Sequence, residues 1–138
     1  MALTKKQRAE LRMKFGGKCA YCGCELTDKF HADHVEPILR ISTQDMKAAE
    51  KGLWKLKATG ESCRPHLDKP ENIFPACQPC NLLKSTYSVE MFRKQISLQV
   101  ERGHKSSMNF RTAERFGLIE IVDKPVVFWF EQYQVGGE

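Results

Sequence analysis

The 138-residue chain is 41% hydrophobic and 28% charged, with a formal net charge of +5. That balance is ordinary for a globular domain and excludes wholesale disorder, and the length suits one domain with a modest core. The longest apolar run, Val126-Val127-Phe128-Trp129-Phe130, is too short to span a bilayer, and Met1-Ala2-Leu3-Thr4-Lys5-Lys6 lacks the apolar stretch of a secretory signal, so a cytoplasmic protein with no membrane partner is expected.

In chain order, Thr4 caps a predicted basic helix over 5–15, with Gln7 placed for a capping box and Gly16 as the stop. The C-x-x-C turn Cys19-Ala20-Tyr21-Cys22 follows. Residues 30–35 read as a short strand that Pro37 interrupts. Residues 43–58 carry Met46, Ala49, Leu53 and Leu56 at spacings of three and four, which predicts an inserted, lysine-rich helix ended by Gly60, with a loop to Lys69. A second turn, Cys77-Gln78-Pro79-Cys80, precedes Asn81-Leu82-Leu83-Lys84 at the start of a helix. Ser88 caps a helix to about Arg102, with Gly103 as its stop. Residues 109–116 read as a short helix ended by Gly117. The segments 118–122 and 126–130 then predict a β-hairpin around Asp123-Lys124-Pro125. The division expected is a domain over 1–106 and a C-terminal extension over 107–138 packed on it.

Six cysteines without a secretory signal point to metal rather than to disulfides. Cys19, Cys22, Cys77 and Cys80 make two knuckles that fit the four thiolates of a structural Zn2+ site. The alternative is a set of buried or redox cysteines. The 54 residues between the knuckles exceed an ordinary zinc ribbon, so the fold must bring the pairs together around an insertion. Cys24 competes with Cys22 but has the shorter bite, and Cys63 reads as a free thiol.

Between the knuckles lies His31-Ala32-Asp33-His34-Val35-Glu36-Pro37. A carboxylate suits a hard cation, and an imidazole can take a proton from water near neutral pH. Cleavage of a phosphodiester needs both actions. The order C-x-x-C, D-H-x-x-P, N, C-x-x-C-N-x-x-K, carried by Cys19/Cys22, Asp33–Pro37, Asn72 and Cys77–Lys84, resembles the zinc-containing branch of the HNH (ββα-metal) endonuclease family, a layout found in phage and bacterial members. There is a more distant likeness to the phage endonuclease VII type. The resemblance covers roughly residues 15–95. It implies an α+β fold with a ββα-metal core stapled by the four cysteines, flanked by helices and the C-terminal hairpin.

It also implies roles. Asp33 and Asn81 would hold one catalytic Mg2+ or Mn2+, His34 would be the general base, and Asn72 would steady the loop that positions it. Asn81 stands where the family's last histidine usually sits, which makes this an H-N-N variant. Adjacent residues on a regular strand face opposite ways, so β-structure must end or bend at Asp33-His34 if both serve one site. His31 is a candidate to orient Asp33 or touch substrate. Glu36, His66 and His104 read as structural or surface residues. The substrate implied is DNA, held mainly by its phosphates, with Lys5, Arg8, Arg12, Lys84, Arg93 and Lys94 as candidate contacts. Residues 43–58 fit either a DNA-facing wall or a solvated helix, with Trp54 as a core residue. The competing reading is a non-catalytic zinc module that binds nucleic acid or a protein partner.

Overall fold

The computed structural model describes residues 2–134 of a mixed α+β chain with two small antiparallel sheets. Its elements are α1 (Lys5–Arg12), β1 (His31–His34), β2 (Arg40–Gln44), α2 (Met46–Glu50), β3 (Leu56–Ser62), β4 (Ile73–Ala76), α3 (Gln78–Lys84), α4 (Val89–Ser97), α5 (Gln99–Ser106), α6 (Met108–Arg115) and α7 (Trp129–Gln132). Single 3-10 turns occupy Pro65–Leu67 and Pro70–Asn72. Among the described residues no helix is long and apolar enough to cross a membrane.

Helix α1 starts as its capping signal predicts. Thr4 Oγ1 accepts from Gln7 N–H at 3.1 Å, and Gln7 Oε1 accepts from Thr4 N–H at 2.9 Å. It stops at Arg12, three residues short of the expected end. Strand β1 pairs antiparallel with β4 in the register His31↔Ala76, Ala32↔Pro75, Asp33↔Phe74 and His34↔Ile73. A proline is tolerated in β4 because a two-stranded sheet leaves one edge of each strand unpaired. The Pro75 carbonyl still accepts from Ala20 N–H at 2.9 Å, which ties the first cysteine knuckle to β4. Helix α3 follows β4 after a single residue, Cys77.

The core is an aromatic cluster on the first knuckle. Tyr21, Phe92 and Phe128 are buried, Phe92 stacks on Phe128 at 5.4 Å, and Tyr21 meets both edge-on at 5.3 and 5.4 Å. The C-terminal segment closes this cluster through its backbone: Trp129 N–H donates to the Tyr21 carbonyl at 3.0 Å and Phe130 N–H to the Ala20 carbonyl at 2.8 Å. Arg93 on α4 then clamps it, donating to the Val126 carbonyl and to both oxygens of Glu131 at 2.7–2.9 Å.

Three sequence expectations are corrected. The helix over 43–58 is instead an antiparallel hairpin, β2–β3, with α2 as one capped turn and a half near its tip. Met46, Leu53 and Leu56, spaced for a helix, are 62%, 50% and 57% exposed. A helical stripe there has little to bury against, and Ser42, Thr43 and Gln44 pair instead with Ala58, Lys57 and Leu56. The C-terminal β-hairpin does not form. Residues 118–128 carry neither strand nor helix, and the Phe128 ring and the N–H groups of Trp129 and Phe130 are spent on the core. The helix expected over 88–102 is broken at Leu98 into α4 and α5, and Gly103 lies inside α5. Gly103 is needed for close approach rather than as a stop, since a Cβ there would come within 2.9 Å of the Phe110 ring.

The Arg93 clamp has a pH signature. Its hydrogen bonds, with that from Phe128 N–H, hold the Glu131 carboxyl below its ordinary value of 4.5. A carboxyl depressed on folding stabilises the protein above its unfolded pKa, and that stability is lost as pH falls through the folded value. Urea midpoints between pH 7 and about pH 3 should therefore fall less steeply in Glu131→Gln than in the wild type.

Candidate functional site

Cys19 and Cys22 lie in a turn closed by Cys19 N–H to the Cys24 carbonyl (2.8 Å) and Gly23 N–H to the Cys19 carbonyl (3.1 Å), with Gly23 at φ +78°. The left-handed backbone at Gly23 is what lets the turn fold under Trp129, whose side chain would lie 3.4 Å from an added Cβ. Cys77 is the N-cap of α3, and its carbonyl accepts from Asn81 N–H at 3.0 Å. The sulfurs of Cys19, Cys22, Cys77 and Cys80 all lie within 4.8 Å of one another, and this group could hold a metal ion such as zinc. Cys22 and Cys77 Sγ are 3.7 Å apart. That matches a tetrahedron edge of about 3.8 Å for zinc–sulfur bonds of about 2.3 Å. A hydrogen bond from Cys80 is the largest influence holding the Cys19 thiol well below the usual range, and the same contact pushes the Cys80 thiol up. Thiolates this close repel one another unless a cation lies among them. Cys24 contacts the Cys22 and Cys77 thiols from outside the group, and burial is the main reason its own thiol is pushed up to about 12. Cys63 is exposed and lies outside this group.

A cleft of about 340 Å3 opens where β1 ends, lined by Asp33, His34, Pro37, Arg40, Asn81 and Ser85 among others. Three of the residues singled out from the sequence, Asp33, His34 and Asn81, thus border one space. Asp33 is only 5% exposed. Its Oδ2 accepts from the Tyr21 hydroxyl at 2.6 Å and lies 3.1 Å from Lys84 Nζ. Burial pushes the Asp33 carboxyl up, opposed by the Tyr21 hydrogen bond and the Lys84 charge. Burial is also the first cause of the upward shift of the Tyr21 phenol, with the Asp33 charge next.

His34 ends β1, and the chain bends there. Asn72 holds the bend: its Oδ1 accepts from Glu36 N–H at 2.9 Å, and its amide donates to the carbonyls of Glu36 (2.8 Å) and Leu67 (2.9 Å). The Asn72 carbonyl takes Val35 N–H at 2.9 Å. The bend resolves the conflict of two neighbouring strand residues serving one cleft. His34 Nε2 is 2.9 Å from Asp68 Oδ1, and this contact is the main reason the Asp68 carboxyl is held below its ordinary value. His31 Nδ1 is 2.7 Å from the Asn81 amide nitrogen, so His31 contacts Asn81 rather than Asp33. With the amide nitrogen donating, the Asn81 carbonyl oxygen is left free to accept a hydrogen bond or to coordinate a cation. Among the described residues the two non-glycine positions with positive φ, Leu39 (φ +53°) and Ser85 (φ +47°), both border this cleft. Such backbone conformations cluster at functional sites.

The predicted phosphate contacts are largely redistributed. Lys84 is fully buried and donates to the His34 carbonyl at 2.9 Å as well as pairing with Asp33, so it does not face a phosphate. Arg93 is occupied by Glu90, Glu131 and the Val126 carbonyl. Arg8 donates to the carbonyls of Asp28 and Phe30, and Arg12 to that of Leu26 at 2.6 Å, so both pin α1 to the loop before β1. Lys5 and Lys94 are exposed. The sequence reading missed Asp68 and Tyr21. Tyr21 sits between two cysteines and reads only as knuckle filler, and Asp68 lies in a polar loop 34 residues from His34 with no periodic signal.

Compared with protein-family models, curated proteins and solved structures, the chain matches none.

The buried pair yields a prediction. Lys84→Met leaves the Asp33 carboxylate desolvated beside one hydroxyl, and should destabilise the protein by about 3–5 kcal/mol near neutral pH. Adding Asp33→Asn should recover part of that loss. Urea unfolding of the two variants and wild type measures both.

Proposed function

We propose that the chain is a metal-dependent DNA endonuclease of the HNH (ββα-metal) kind, with a structural zinc in its four-cysteine site. The observation that carries the reading is the convergence of the adjacent pair Asp33 and His34 with Asn81, distant from them in sequence, on one cleft. The antiparallel pair β1–β4 followed directly by α3 supports it, being the order of elements a ββα-metal core requires.

The donor set suits a hard cation. With Asp33 Oδ2 taken by Tyr21 and Lys84, Oδ1 and the Asn81 carbonyl oxygen are the atoms available to it. A bound Mg2+ or Mn2+ would supply charge neutralisation at the scissile phosphate and the leaving oxygen. His34 acts as general base. With Nε2–H donated to Asp68, the lone pair stays on Nδ1, and that atom accepts the proton from the attacking water. Asp68 fixes this tautomer and stabilises the imidazolium that results. His31 keeps the Asn81 amide turned so that its oxygen is presented. Asn72 keeps His34 at the bend, and Lys84 and Tyr21 keep Asp33 in place.

A second reading has one observation in its favour. The Lys84 ammonium already balances the Asp33 charge, as it would in a scaffold that binds nucleic acid or a protein partner without cutting. The two readings separate in a supercoiled-plasmid assay on protein freed of loosely bound metal, with Mg2+, Mn2+, Ca2+ and Zn2+ added singly. The nuclease reading expects nicked or linear product bearing 5′-phosphate and 3′-hydroxyl ends with Mg2+ or Mn2+. It also expects a loss of about 10²–10⁴-fold in rate in His34→Ala with the fold intact. Cleavage with no metal, or undiminished cleavage by His34→Ala, sinks it. Separately, elemental analysis should find one zinc per chain, and Cys80→Ser should lose both the zinc and the cooperative unfolding transition.

A further inference from the structure

The β2–β3 arm owes little to the core. Residues 40–44 and 51–61 are all exposed, and the two strands pair only with each other. The arm nonetheless starts at the cleft, because Leu39 and Arg40 form part of its wall. Arg40, Lys47, Lys51, Lys55 and Lys57 lie on it against Asp45, Glu50 and Glu61. Asp45 is consumed in capping α2, accepting from Lys47 and Ala48 N–H at 3.1 and 3.2 Å. Among the described residues none of the five cations is in an ion pair or a side-chain hydrogen bond. They differ in this from Arg8, Arg12, Lys84 and Arg93, each of which is committed to holding the fold. At the tip Trp54 is 72% exposed, between Lys51 and Lys55.

We propose that this arm is a DNA-binding ribbon that holds duplex DNA beside the cleft, its lysines on phosphates and Trp54 against the groove edge. The choice of DNA as occupant rests on the nuclease reading, and the rest follows from shape and charge. A two-stranded ribbon is of a width that the major groove accepts. Unpaired lysines on mobile stems suit phosphate contacts, and an amphipathic indole tolerates a surface that is part apolar and part wet. Self-association through the exposed tip is disfavoured, because a second copy would bring Lys47, Lys51, Lys55 and Lys57 against the same four lysines.

The test is fluorescence anisotropy of a labelled duplex with zinc-loaded protein and no added divalent cation, across a salt series. Each lysine that neutralises a phosphate contributes about 0.9 to the slope of log affinity against log salt. The quadruple variant Lys47→Gln/Lys51→Gln/Lys55→Gln/Lys57→Gln should therefore lose about three to four from that slope, with thermal midpoint and zinc content unchanged. Trp54→Ala should weaken binding with the slope kept. An unchanged slope in the quadruple variant overturns the proposal, as does a change in sedimentation with DNA affinity unaltered. Plasmid cleavage by the wild type with a variant that binds DNA equally well removes the arm and leaves the nuclease. Lysine-dependent binding with no cleavage in any metal removes the nuclease and leaves the arm.

Discussion

The side chain of Lys84 has no exposed surface, and its ammonium is satisfied by two acceptors, the Asp33 carboxylate and the His34 carbonyl. A buried ammonium without such partners is not tolerated, so α3 and the end of β1 are fixed to one another by the need to keep that charge paired. Tyr21 completes the arrangement from the other side, reaching Asp33 from within the first cysteine knuckle. Each knuckle thus sends a side chain to the same carboxylate: Tyr21 from between Cys19 and Cys22, and Lys84 from the helix that Cys77 and Cys80 begin. The distance between the thiol group and the cleft is bridged by two short polar contacts rather than by a stretch of flexible chain. A metal held by the thiols would therefore set the geometry of the cleft while lying outside it.

Around this contact the other polar groups are accounted for. No buried side-chain nitrogen or oxygen among the described residues lacks a partner. Asn72 uses its carbonyl oxygen once and its amide twice at the bend after His34. His31 Nδ1 and the Asn81 amide nitrogen pair across the strand and the helix. Such full satisfaction in a low-dielectric setting favours one arrangement over near alternatives, which a cleft needs if its groups are to hold a fixed spacing.

What was legible in the sequence was local chemistry. Thr4 with Gln7 and Ser88 with Met91 N–H announce helix starts, because a cap is satisfied within three or four residues. The two cysteine pairs announced their own convergence, since two ligands at one turn cannot fill a tetrahedron. The bend at His34 followed from the need for adjacent residues to serve one space. What was not legible depended on the presence or absence of a distant surface. Met46, Leu53 and Leu56 have helical spacing, but each is half exposed or more, so the pattern carried little burial energy. Val126–Phe130 have strand composition, yet their partners are the backbone of Ala20 and Tyr21 and the ring of Phe92, more than thirty residues away. Lys84 looks from its spacing like a surface cation, and only the fold shows that its side chain points inward. The positively charged composition was similarly silent on which cations are free, because pairing is a property of tertiary contacts.

The manner in which Trp129 and Phe130 donate to the carbonyls of Tyr21 and Ala20 bears on how the protein is made. A nascent chain is threaded from its amino end, so the first knuckle emerges more than a hundred residues before the segment that lies against it. Until residue 130 has left the ribosome, the inner face of that knuckle and the ring of Phe92 lack the cover of Phe128. Final consolidation of the core must therefore follow translation of this stretch, with the early cysteines left accessible in the interval.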